Sequence, residues 1–194
     1  MLEKDLENIL IAVAYRNDEL AFKDLYYQYF NKLYNFALPI VKSGEIAEEV
    51  VNDAFISLWN NRAELPAIRN FKVYIYTAVR NRSLNASSRL KVHDHLALDE
   101  VDLKFYTDYQ HADDKLLAEE LTEILNNSIE KLPAQSKVIF RLVKEDGLKH
   151  KEVAELMNLS IKSIEYHMGN ALKKVWETFV TYYDSAAKKN QKKL

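Results

Sequence analysis

Apolar residues recur at three- and four-residue spacing along most of this 194-residue chain, and strand-like alternation is scarce. The pattern predicts an all-α protein. A short helix is expected over residues 5–15. A longer one starts near Asp18, with Leu20, Phe22, Leu25, Tyr29, Leu33, Phe36 and Ala37 near one face and Pro39 placed to kink or end it. "KSGE" reads as a turn. A third helix over 45–60 carries an apolar stripe of Ala47, Val50, Ala54 and Leu58. Beyond the loop "NRAELPAIRN", a fourth is expected over 71–89.

The period then fails. Residues 90–115, "LKVHDHLALDEVDLKFYTDYQHADDK", carry many acids and no sustained repeat, so they read as a linker with at most a helical turn. Periodicity resumes near Leu116 with a helix that reaches Lys131 and stops at "LP". Further helices are expected over 134–145, 149–158 and 160–183. The organisation is two small helical domains, 1–90 and 116–184. An acidic linker, 91–115, joins them, and 185–194 is a basic tail expected to fray.

Charge sharpens this division. The net charge of −2 conceals a balance of +1 over residues 1–91, −7 over 92–120 and +4 over 121–194. No acid lies between Glu64 and Asp94, where Arg69, Lys72, Arg80, Arg82, Arg89 and Lys91 all fall. Such a run is either a solvated helix face or an anion-facing surface. With 48% hydrophobic residues the chain can bury real cores, and without cysteine it has neither disulfides nor thiolate chemistry. No apolar run approaches the roughly 18–20 residues that span a bilayer. The acid-containing N-terminus lacks the basic start of a signal peptide, so a cytoplasmic protein without direct membrane insertion is expected.

Residues 149–168 fit a helix-turn-helix. Val153, Ala154 and Met157 are expected to face inward, Leu159 to plug the turn and Ser160 to cap the second helix. Asn158 holds a turn position often given to glycine, but asparagine tolerates left-handed geometry. Ile161, Ile164, Met168, Ala171, Leu172, Val175 and Phe179 then form one apolar face. Opposite project Lys162, Glu165, Tyr166, Gly169, Asn170 and Lys173, with Ser163 at their margin. An αα-hairpin that binds nothing has the same spacing. On DNA, Glu165 would accept from cytosine N4, Asn170 would read adenine, and Lys162 and Lys173 would hold phosphates. Gly169 interrupts a helical pattern at a cost of about 1 kcal/mol, which suits close approach of a ligand to the backbone. The face is too weakly cationic for tight autonomous binding, so other contacts must help hold the DNA. His167 reads as a flanking residue. The five scattered histidines build no metal site, and neither a cofactor nor catalysis is expected.

In the first domain, "AEEVVNDAFISLWNNR" backs its stripe with a polar face of Glu48, Glu49, Asn52 and Asp53. Here the chain resembles RNA polymerase sigma factors of the extracytoplasmic-function type, the minimal group of the sigma-70 family. "AFKDLYYQYFNKLYNFA", "AEEVVNDAFISLW" and "FKVYIYTAVRNRSLN" are similar to sigma-2. "LPAQSKVIFRLVKEDGLKHKEVAELMNLSIKSIEYHMGNALKKV" is similar to sigma-4. The wording "SIEYH…ALKK" resembles factors common in Bacteroidetes.

The resemblance implies that Glu48, Glu49, Asn52 and Asp53 contact the β′ clamp helices of core RNA polymerase, with Phe55 and Trp59 packed inward. It implies that residues 62–70 and the start of the fourth helix capture the −10 element of promoter DNA, with Asn70, Lys72, Tyr76, Arg80 and Asn81 as candidates. Phe71, Tyr74 and Ile75 lie at core spacing. Sigma-4 would read the −35 duplex and meet the β flap. The acidic linker is either a solvated tether or a nucleic-acid mimic along the RNA-exit path. A membrane-associated anti-sigma factor is a further partner by resemblance. The alternatives are a helix-turn-helix regulator acting without core polymerase and a helical protein-binding adaptor.

Overall fold

Local capping chemistry starts most of the helices. The computed structural model describes residues 3–93 and 117–191; all of the linker beyond His93 up to residue 115 lies outside them. Helix α1 (Glu3–Arg16) ends at Asn17, which takes a left-handed φ of 51°. Asp18 then accepts hydrogen bonds from the Leu20 and Ala21 amides, both at 3.0 Å, and opens α2 (Glu19–Val41). Pro39 does not break α2, which continues two residues further to Val41 and is capped by left-handed Lys42. Ser43 caps α3 (Gly44–Asn60). At Gly44 a Cβ would sit 2.8 Å from the Tyr34 hydroxyl, so a larger residue there would push that ring end aside.

Residues 62–70 are more ordered than a loop, since Arg62–Ala67 form a 3₁₀ helix that buries Leu65. Arg62 anchors it, with its guanidinium over the Trp59 ring at 4.6 Å and Nε donating to Asn17 Oδ1 at 2.6 Å. Asn70 caps α4 (Phe71–His93) by accepting from the Val73 amide at 3.2 Å. The core joins Leu10 and Val13 of α1 to Leu25, Tyr29, Leu33 and Phe36 of α2. Val50, Val51, Ala54 and Leu58 of α3 and Phe71, Ile75 and Val79 of α4 complete it. Leu20, expected on the inner face of α2, is instead exposed, because it lies in the first turn beside the Asn17 bend.

The chain divides into two units, Met1–Asp108 and Tyr109–Leu194. The second contains α5 (Leu117–Glu130), α6 (Ala134–Lys144), α7 (His150–Met157) and α8 (Ile161–Gln191). Gly147, at φ 72°, supplies the turn after α6, and Leu148 N–H donates to Leu142 O at 2.9 Å. Glu152 reaches back to accept from the Lys149 amide at 2.8 Å. Asn158 is left-handed (φ 55°, ψ 47°), and Ser160 Oγ accepts from Ser163 N–H at 3.1 Å.

Val153, Ala154, Leu156, Ile164, Met168, Ala171 and Val175 are buried between α7, α8 and their neighbours. Under α6 lies an ion-paired layer. Buried Lys137 donates to Glu130 Oε2 at 2.9 Å, and Arg141 donates to Glu130 Oε1 at 2.6 Å. One expectation for α8 fails: Ile161 and Leu172 flank the buried stripe rather than belong to it, and each is 46% exposed. The helix continues to Gln191, and the last three residues of the basic tail lie outside the described residues.

Candidate nucleic-acid and protein interfaces

The turn at Asn158–Ser160 delivers the first turns of α8 with one face outward. Lys162, Glu165, Tyr166, Gly169, Asn170 and Lys173 are all exposed, and Ser163 is half-exposed. Nothing lies within 4 Å of a Cβ built on Gly169, so no packing inside this chain demands the glycine. The backbone is bare there. His167, behind this face, meets Ser136 Oγ through Nδ1 at 3.0 Å and ties α8 to the start of α6. Lys173 lies 3.9 Å from Glu177, with both side chains in solvent. An exposed pair of this kind contributes little to stability and leaves the lysine available to a phosphate.

Sequence reasoning missed a second stripe on α8. Leu172, Trp176 and Val180 are exposed at four-residue spacing, Trp176 by 68%. The recurrence is visible in the sequence, yet spacing alone does not say which of two adjacent apolar stripes is buried.

On α3, Glu48, Glu49 and Asp53 are exposed, whereas Asn52 is half-buried and accepts a 2.9 Å hydrogen bond from the Tyr26 hydroxyl. The acids therefore stand free above a supported amide. Beneath them runs a continuous row of six rings. Tyr34 stacks on Phe30 (6.3 Å between centroids) and Phe30 lies against Tyr26 (5.1 Å). Tyr26 meets Phe55 at 4.9 Å, Phe55 meets Phe22 at 6.0 Å and Phe22 meets Trp59 at 4.9 Å. Phe55 is buried as expected, while Trp59 stays half-exposed at the end of the row. A groove of about 640 Å³ opens here, lined by Phe22, Tyr26, Asn52, Phe55, Ile56 and Trp59, with Glu19 at its rim. Burial, the charge of Glu48 and the neighbouring Tyr27 push the Tyr26 phenol above its ordinary range.

On α4 one expectation is reversed. Tyr76 is 1% exposed, with its ring edge-on to Phe36 at 5.1 Å, so it is a core residue that DNA does not reach in this structure. Tyr74, placed at core spacing by the pattern, is 39% exposed. Asn81 is exposed, Lys72 and Arg80 are half-exposed, and Asn70 is exposed while its Oδ1 caps the helix. Among the described residues no His, Asp or Glu group is arranged to hold a metal ion, and no helix is long and apolar enough to cross a membrane.

Residues 11–92 match the Sigma-70 region 2 family and residues 122–175 match Sigma-70, region 4. The chain belongs to the sigma-70 family. Curated relatives place this sigma factor in the extracytoplasmic-function group. The ECF RNA polymerase sigma-E factor of Escherichia coli (strain K12) is 23% identical over 171 residues, covering 84% of this chain and 89% of the relative. The ECF sigma factor SigW of Bacillus subtilis (strain 168) is 23% identical over 157 residues, covering 77% and 84%. A solved structure, the sigma factor RpoE in complex with the anti-sigma factor NepR from Bartonella quintana, shares the fold. Its TM-score is 0.52 at 17% identity, over 81% of this chain and 96% of that one. The sigma factor therefore directs transcription initiation with RNA polymerase. Its region 2 match contains the acidic face of α3 and the start of α4, and its region 4 match contains the exposed face of α8 up to Val175.

Proposed function

We propose that the region 2 unit docks on the β′ clamp helices through Glu48, Glu49, Asn52 and Asp53 and captures the −10 element. The region 4 unit reads the −35 duplex through α8 and meets the β flap. The observation that carries this reading is the contrast between two exposed helix faces on separate units. One is anionic and suits a basic protein surface; the other is mixed, with a bare backbone position, and suits a major groove. On α8, Glu165 and Asn170 face base edges, Ser163 and Tyr166 flank them, Gly169 admits the close approach, and Lys162 and Lys173 hold phosphates.

For the −10 element, Asn70, Lys72, Arg80 and Asn81 remain as contacts, and exposed Tyr74 replaces Tyr76 as the ring on which an unstacked base can rest. Core polymerase supplies most of the affinity, so the acidic pI near 6.2 is no obstacle. The protein acts in the cytoplasm as a non-catalytic subunit. An anti-sigma factor, membrane-associated in the reading from family resemblance, would hold it off polymerase.

The test is reconstitution of runoff transcription from genomic fragments with core polymerase of the same organism. Specific start sites that depend on the added chain are expected. Their absence on every cognate fragment would overturn the proposal. Operator binding by a dimer without core polymerase would instead support an independent regulator.

A further inference from the structure

The α3 face contains three carboxylates and one amide, and the amide is the member with structural support. A carboxylate only accepts hydrogen bonds, so Glu48, Glu49 and Asp53 form a row of acceptors. Asn52 differs. Its Oδ1 is occupied by the Tyr26 hydroxyl at 2.9 Å, and its Nδ2 has no partner among the described residues. The phenol that makes this bond is clamped between Phe30 and Phe55, with ring centroids 5.1 and 4.9 Å away, so its position is set by packing.

We infer that Tyr26 is a positioning residue for polymerase docking: by donating to Asn52 Oδ1 it turns the amide so that Nδ2 is presented as the single hydrogen-bond donor in the acidic row. The partner surface that fits is basic but interrupted at one point by an acceptor, a carbonyl or hydroxyl oxygen set between arginine or lysine side chains. A purely cationic surface would leave that donor unmatched. A phenol is protonated, and therefore a donor, at physiological pH, and burial and the nearby charge of Glu48 shift it further in that direction.

The inference rests on the reading of α3 as the docking face, and the test separates the two. Binding of the full-length chain to core RNA polymerase is measured for Tyr26→Phe, Asn52→Ala, Asn52→Asp and the double variant Tyr26→Phe/Asn52→Ala. Thermal unfolding is followed for each.

Tyr26→Phe keeps the ring and removes only the donor. It is expected to weaken binding about threefold to tenfold, with only the small fall in melting temperature that loss of one part-buried hydrogen bond brings. Asn52→Asp keeps an acceptor for Tyr26 but loses Nδ2 and adds a charge that suits a basic surface, so it is expected to lose less affinity than Asn52→Ala. In the Asn52→Ala background, Tyr26→Phe should cost nothing more, because it acts only through the amide. Equal losses in both backgrounds would overturn the inference. A control fixes where a failure lies. If Glu48→Lys and Glu49→Lys also leave polymerase binding intact, the docking face itself is wrong. If they weaken it while the Tyr26 and Asn52 variants do not, only the positioning role fails.

Discussion

The two units cover helical cores of similar build with different materials. The region 2 unit joins α2 to α3 through six rings in continuous contact, closed by Arg62 over Trp59. Each edge contributes a modest amount beyond area burial, so the stabilisation is spread along the seam. In the region 4 unit, Lys137, which is buried, and Arg141 of α6 both donate to Glu130 of α5, and Arg141 also meets Glu145 at 3.7 Å. Distributed packing tolerates local change better than a charge network, in which removal of a shared member leaves the others less well paired. The outward faces differ too. The acids of α3 rest on a rigid aromatic floor, while the α8 face has its weakest helical residue, Gly169, in the middle.

The largest predicted effect probes that asymmetry. Glu130→Ala removes the carboxylate to which both Lys137 and Arg141 donate and should cost the region 4 unit about 2 kcal/mol. The two tryptophans, Trp59 and Trp176, lie one in each unit, so variants retaining a single tryptophan report the units separately. Denaturant unfolding should show the Trp176 transition moving to lower concentration and the Trp59 transition staying put. Movement of both would show that the units share their stability.

Next in size is a charge test of the two faces. Glu48→Lys with Glu49→Lys should weaken core polymerase binding about tenfold or more, through like-charge contact with a basic surface. Lys162→Glu should leave that affinity unchanged and lower promoter occupancy by the assembled holoenzyme. If the two substitutions produce the same pattern, the faces are not specialised.

Gly169→Ala comes third. A methyl group there meets nothing, so the region 4 unit should gain about 1 kcal/mol in unfolding free energy while transcription from −35-dependent promoters falls. Unaltered transcription would make the glycine a tolerated weakness and remove the bare backbone from the DNA face.

The smallest effect concerns pH. The Tyr26 phenol titrates above its ordinary value near 10 in the folded chain, so the unfolded chain loses that proton first as pH rises. The stability tied to it is complete below about pH 10 and drains as pH climbs through the folded value. Tyr26→Phe should flatten the alkaline decline of the Trp59 transition and leave the Trp176 transition unchanged.

Features set by local chemistry were legible in the sequence. The helix start near Asp18, Ser160 as a cap, Asn158 as a left-handed turn and the stripe Ala47, Val50, Ala54 and Leu58 each follow from neighbours within four residues, and each is found in place. Features set by distant packing were not. Helix α4 is apolar almost all round at its start, so nothing local decides that Tyr76 turns in against Phe36 while Tyr74 turns out. Lys137 looks like a surface residue until the turn at Pro133 brings Glu130 to it. On α8, the stripes through Val175 and through Trp176 share one period, and only the packing of α5, α6 and α7 selects the first. Most candidate residues of α8 and the acids of α3 are exposed for local reasons, so their exposure could be read in advance. The support beneath Asn52 depends on a residue 26 positions away.

Helix α8 has a practical use as an instrument. Its 31 residues form one continuous element, and the 23 residues from Gly169 to Gln191 extend about 33 Å along the axis. A rod of that length amplifies rotation into translation, so a tilt of about 10° at its Gly169 end would carry the far end through roughly 6 Å. A spin label or fluorophore at Gln191 would thus register reorientation of region 4 during holoenzyme assembly without touching either face it serves.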